Sequence, residues 1–147
     1  MAVTPAQASV SAPAFTWTIR VYYEDTDAGG IVYYANYPRF FERCRTEWLR
    51  ALGIEQAHLV AQHGLQFVVT SLACDYRRPA RLDDRLTVLA QLERIGGASL
   101  SFVQQIERDG ELLASGRVKV ACVDAKTLAP AALPRFLLDA LRGSALP

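Results

Sequence analysis

The feature that most constrains this chain is its second half, where four strand-like runs follow one another across very short breaks. QFVVTSLACDY, RLTVLAQLERI, ASLSFVQQIER and ELLASGRVKVACVD are rich in β-branched and apolar residues with partial alternation, the pattern of half-buried strands. RRPARLDD, Gly96-Gly97 and Asp109-Gly110 separate them. An Asp-Gly pair between two such runs predicts a type I′ hairpin turn. Links this short predict antiparallel neighbours, because a parallel crossover needs a dozen residues or more.

The first half supplies one more strand and a long helix. FTWTIRVYY, from Phe15 to Tyr23, is aromatic and β-branched and reads as a strand. After an acidic, glycine-containing turn, Tyr37, Phe40, Phe41, Cys44, Trp48 and Leu52 recur at three- and four-residue steps. That spacing predicts a helix with a wide apolar stripe, with Arg39, Glu42, Arg43, Arg45 and Arg50 on the remaining positions. Asn36 suits an N-cap, Pro38 a first turn, and Gly53 the residue after the last turn. EQAHLVAQH reads as a short second helix ending at Gly64, and LPRFLLDALRG as a terminal one. The layout is an α+β domain, one long helix packed on an antiparallel β-sheet. Residues 15–142 form that single domain, 1–14 an Ala/Ser/Pro-rich arm expected to be disordered, and 143–147 a short tail.

Composition narrows the class. With 147 residues, 51% of them hydrophobic, the chain is long enough to bury a core. A formal net charge of +1 with scattered arginines gives no footprint for nucleic acid. Cys44, Cys74 and Cys122 lie far apart in apolar stretches, without metal-ligand spacing, and read as buried thiols. No run approaches the ~20 apolar residues that span a bilayer, and MAVTPAQASVSAPA lacks the basic and apolar regions of a signal peptide. A reducing, cytoplasmic compartment is expected.

Residues 21–37, VYYEDTDAGGIVYYANY, concentrate the chemistry. Three carboxylates, Glu24, Asp25 and Asp27, precede two glycines and the start of the helix. The segment fits a solvated acidic turn, a cation site, or a catalytic acid aimed at a helix start. Metal binding is weakly supported, since no histidine accompanies the carboxylates and the loop lacks an EF-hand pattern. Serine catalysis is weaker still, with no G-x-S-x-G and both histidines, His58 and His63, on the short helix. The amides of a first helical turn lack intrahelical partners and carry partial positive charge. Aimed at a carbonyl oxygen they make an oxyanion hole, while a nearby carboxylate attacks the carbonyl carbon or activates water.

YEDTDAGGIVYYANY followed by FERCRTEWL closely resembles the 4-hydroxybenzoyl-CoA thioesterase family of hotdog-fold proteins. Within it the chain is most similar to the acyl-CoA thioesterases associated with the bacterial Tol–Pal envelope system. YRRPARLDDRL, GASLSF and VACVDAKTLAPAALP extend the resemblance from about Phe15 to Leu141.

The resemblance implies a hotdog fold, homodimers or homotetramers with the site between subunits, and hydrolysis of acyl-CoA to CoA and a carboxylic acid. An acyl-carrier protein is a further possible carrier of the acyl group. It implies no metal or redox cofactor. By position, Asp27 matches the catalytic aspartate, as nucleophile or general base, and the Tyr34 N–H the donor that polarises the thioester carbonyl. The Tol–Pal group commonly has histidine where this chain has Tyr34, and phenol, with a pKa near ~10, does not replace imidazole as a neutral-pH base. Arg77, Arg78 and Arg94 are candidates, by charge alone, for CoA phosphates. A non-catalytic acyl-binding or scaffold protein is the rival from another class. A hotdog dehydratase is a second, for whose His/Glu pair the sequence offers no obvious residues.

Overall fold

The computed structural model describes residues 14–145. Residues 1–13 of the expected arm and 146–147 of the expected tail lie outside them. In chain order the elements are β1 (Phe15–Arg20), α1 (Tyr37–Ala51), α2 (Gln56–His63), β2 (Leu65–Tyr76), β3 (Arg85–Ile95), β4 (Ser99–Arg108), β5 (Glu111–Asp124) and α3 (Arg135–Ala145). Short 3-10 turns cover Tyr23–Asp25 and Tyr34–Asn36, the latter running straight into α1. The strands form one antiparallel sheet in the order β1-β3-β4-β5-β2. One long helix lies on it, the hotdog arrangement expected from the resemblance.

The alternation read in the strands becomes a buried inner face. Leu86, Val88, Phe102, Ile106, Val118, Val120 and Cys122 pack against Phe40, Phe41, Cys44 and Trp48 of α1. The Trp48 ring meets Phe102 edge-on, with centroids 5.3 Å apart. Gly116 of β5 makes the closest approach possible, since a Cβ there would stand 2.6 Å from the Phe41 ring and 2.7 Å from the Ala73 carbonyl oxygen. Asp109 and Gly110 both have positive φ, at 52° and 81°, as a type I′ turn requires. Gly53 and Gly64, also at positive φ, follow α1 and α2.

Four expectations are corrected. The first strand stops at Arg20, because Tyr22 N–H turns to the Asp25 carboxylate and the chain enters a 3-10 turn. β2 and β3 are not neighbours, with β5 and β4 lying between them. Residues 77–84 cross those two strands, a distance of ~14 Å that eight residues span easily. Arg45 is not on the exposed face of α1 but buried, donating to Gln104 Oε1 at 2.9 Å. Asn36 does not cap α1, being already helical at φ −82° and ψ −18°. Its side-chain amide instead donates to the Asp25 carbonyl at 2.9 Å. The last helix, α3, runs to Ala145.

Candidate active site

Asp27 occupies the tip of a small hairpin built by the acidic–glycine sequence. Gly30 N–H closes the turn onto the Asp27 carbonyl at 3.0 Å, and Asp27 N–H bonds the Ile31 carbonyl at 2.9 Å. The two glycines do different work. Gly30 has φ 81°, a conformation costly for other L residues. Gly29 leaves room for the carboxylate: its N–H donates to Asp27 Oδ1 at 2.8 Å, and a Cβ on Gly29 would stand only 3.2 Å from that oxygen. Asp27 itself is exposed.

Further along the hairpin, Thr26 pairs with Val32, and Tyr33 N–H reaches the Asp25 carbonyl at 2.9 Å. Tyr34 follows as the first residue of the 3-10 turn that leads into α1. Its N–H finds no acceptor among the described residues, whereas its carbonyl accepts the Tyr76 hydroxyl at 2.9 Å. Burial together with the Cys74 contact raises the Tyr76 pKa, so that the phenol remains a donor at neutral pH. The Tyr34 side chain is itself 62% exposed. The helix start is thus fixed from two sides, by Asn36 to Asp25 and by Tyr76 to Tyr34.

The carboxylate cluster does not converge. Asp25 is buried and its Oδ2 accepts Tyr22 N–H, while Asp27 turns to Gly29. Among the described residues no group of three His, Cys, Asp or Glu side chains gathers in a way that would hold a metal ion.

The hairpin joins the 77–84 link, with Val32 N–H on the Ala80 carbonyl and Ile31 bridged to Arg81. Arg77 and Arg78, which follow β2 directly, therefore lie at the sheet end that carries Asp27 and Tyr34. Arg78 pairs with Glu111 at 2.7 Å on an exposed surface. Arg94 sits near the opposite end of β3, roughly 30 Å along the strand from Arg85. Within one chain, then, the structure brings Arg77 and Arg78 to the site's end of the sheet and leaves Arg94 away from it. Sequence reading passed over Arg81, whose backbone pairing ties it to the Asp27 hairpin. It also passed over Tyr76, whose partner is 42 residues away. Neither carries a local signal, because each is brought in by a non-local pairing.

Comparison with known proteins agrees with this architecture. The sequence matches the model of the thioesterase-like superfamily over residues 21–141. It is 48% identical over 121 residues to the acyl-CoA thioesterase YbgC of Haemophilus influenzae, covering 82% of this chain and 89% of that protein. It is 34% identical over 109 residues to the long-chain acyl-CoA thioesterase FadM of Escherichia coli K12, covering 73% and 81%. A probable thioesterase from Bartonella henselae superposes with a TM-score of 0.80 at 34% identity, over 83% of this chain and all of that one. With most of its length matched by the family model and by relatives well above 30% identity, this chain belongs to the thioesterase-like superfamily.

Proposed function

We propose that this chain hydrolyses acyl-CoA thioesters to free CoA and a carboxylic acid, with residues 15–142 as the hydrolase domain. The observation that carries this reading is an exposed carboxylate on the hairpin and, at the helix start that follows it, an amide with no acceptor among the described residues. Similarity to proteins named acyl-CoA thioesterases supplies the bond class. In this reading the thioester carbonyl oxygen accepts the Tyr34 N–H, and the helix start stabilises the oxyanion as the tetrahedral intermediate forms. The ionised Asp27 either attacks the carbonyl carbon, giving a mixed anhydride that water opens, or takes a proton from the attacking water. The CoA thiolate leaves in both routes and is protonated. Arg77 and Arg78, together with Arg81, offer cations for CoA phosphates at the same sheet end, and Arg94 is a candidate only if another copy brings it there. Release of free thiol from acyl-CoA tests the reading. Asp27→Asn is expected to keep the fold and lower kcat at least ~10²-fold, and turnover close to that of the unmodified protein would sink the assignment.

We further propose a homodimer, or a homotetramer built from two such pairs, joined through β2. That strand is an edge of the sheet, twelve residues long, and Val69, Leu72 and Tyr76 on it are about half exposed. An edge that long and that apolar invites a second strand. A monomer near 16.2 kDa in sedimentation equilibrium at micromolar concentration would refute this. Acyl-carrier protein as the alternative acyl donor and association with the Tol–Pal system rest on the resemblance, and a cytoplasmic location on the three cysteines being free thiols. No described helix is long and apolar enough to cross a membrane.

A further inference from the structure

A cavity of about 130 Å³ lies under the middle of α1 against β2, β4 and β5. Leu49, Phe67, Val69, Phe102 and Val120 give it apolar walls, and Arg45 stands among them. A void of this size is close to the ~150 Å³ apolar cavity that holds one benzene ring. Arg45 is the unusual element. Only 9% of it is exposed, and among the described residues its hydrogen bond goes to the neutral amide oxygen of Gln104. The Phe102 ring lies 6.0 Å from its guanidinium, and no carboxylate pairs with it among the described residues. A buried cation without a paired anion is costly, so its spare N–H groups favour an oxygen acceptor in the cavity. Glu42, at the mouth and bonded by the Thr46 hydroxyl, already supplies negative charge and opposes a second anion.

An apolar strip of side chains runs from the helix start to this cavity, on the strand through which a second copy is proposed to join. By register Val69 and Leu72 stand opposite the buried Val120 and Val118, and Tyr76 opposite Ala114, so all three project from the helix-side face of β2. The strip begins where Tyr76 bonds Tyr34 and ends at Val69 in the cavity wall. Arg45 is eleven residues beyond Tyr34, about 16 Å along a helix. An extended hydrocarbon advances about 1.3 Å per carbon, so the distance calls for a chain of roughly twelve carbons or more. Cations lie at the other end of the strip, at Arg77, which separates an apolar direction for the acyl chain from a charged one for CoA.

We propose that the cavity takes the far end of an aliphatic acyl chain of about twelve or more carbons, and that Arg45 selects a neutral oxygen group, such as a hydroxyl, at that end. This rests on the acyl-CoA reading above, so the test measures binding rather than turnover. Non-hydrolysable CoA thioethers are titrated by calorimetry: S-butyl-, S-dodecyl-, S-(12-hydroxydodecyl)- and S-(11-carboxyundecyl)-CoA. The hydroxydodecyl compound is expected to bind at least about fivefold tighter than dodecyl, with both far tighter than butyl. Arg45→Met should reverse the order of the first two. Val69→Trp, at a half-exposed position that the fold tolerates more readily, should weaken both long compounds at least about tenfold and leave butyl within twofold. Equal binding of butyl and dodecyl compounds, or a uniform effect of Val69→Trp, would overturn the cavity's role. Dodecyl matching hydroxydodecyl, or carboxyundecyl exceeding it, would overturn the assignment of the end group. Loss of thiol release with this binding order intact would count against the hydrolase reading alone.

Discussion

Replacing Gly116 by alanine adds one methyl group at the tightest point between helix and sheet. The new Cβ would meet the Phe41 ring at 2.6 Å on one side and the Ala73 carbonyl oxygen at 2.7 Å on the other. Ordinary contacts are nearer 3.5 Å, so ring and strand must together yield most of an ångström. Phe41 has no exposed surface and cannot swing into solvent, and Ala73 is held in the β2–β5 ladder opposite Arg117. Overpacking of this kind costs about 1–3 kcal/mol. For a domain of this size each kcal/mol moves Tm by roughly 3–5 °C, so a fall of about 3–15 °C is expected. Calorimetry at fixed protein concentration measures it, since association shifts Tm with concentration. Gly97→Ala is the control, because a Cβ there meets nothing within 4 Å. Adding Phe41→Leu to Gly116→Ala should give a double variant less destabilised than the sum of the two by at least ~0.5 kcal/mol, because the ring is one of the two clashing groups. A Tm for Gly116→Ala as close to that of the unmodified protein as the control's, or strict additivity, would refute the packing argument.

Other changes separate scaffold from chemistry around the hairpin. Asp25→Asn keeps an oxygen that can accept Tyr22 N–H, so kcat should stay within a few-fold, whereas Asp25→Ala should lower stability by about 0.5–2 kcal/mol in denaturant titration. Tyr34→Phe should retain activity within roughly a few-fold if only its amide acts, and Tyr34→His should add a pH dependence near ~6.5 to the rate; a loss of ~10²-fold in Tyr34→Phe would make the phenol a direct participant. Tyr76→Phe removes the bond to the Tyr34 carbonyl, and kcat should fall by about two- to tenfold with KM little changed. Burial pushes the Cys44 thiol up to about 12, and Cys44 and Cys122 have no exposed surface. Both should therefore resist iodoacetamide at pH 8 in the native protein and label once it is unfolded, as read by mass spectrometry.

Features governed by neighbours in sequence were legible, and those governed by distant pairing were not. Period-two patterns gave β3 and β5 their limits, and Asp109-Gly110 gave its turn, because both depend on a few adjacent residues. The order of strands depends on which edges meet, so the place of β2 beside β5 had no local trace. Arg45 is the instructive failure. It stands four residues after Phe41 and four before Leu49, both buried, so the helical period itself puts it on the covered face. Its charge argued the other way, and the deciding partner, Gln104, is 59 residues off. Asn36 was misread for a related reason, since a capping residue type stood one turn inside the helical run and found a distant carbonyl instead.

These contacts also bear on what a histidine in place of Tyr34 would change. Every bond that fixes the helix start is made by something other than the Tyr34 side chain: Tyr33 N–H and the Asn36 amide converge on the Asp25 carbonyl, and Tyr76 holds the Tyr34 carbonyl. The direction of the Tyr34 N–H is therefore set by backbone, by a buried asparagine and by a strand across the sheet edge. A histidine or a tyrosine at this position leaves the amide where it is and changes only what projects from it. In the proposed mechanism, oxyanion stabilisation by the amide would be independent of that side chain, and acid–base assistance from the side chain would not. Residues that hold the amide are thus more constraining than the residue that carries it, and an exposed ring at Tyr34 is compatible with a working site.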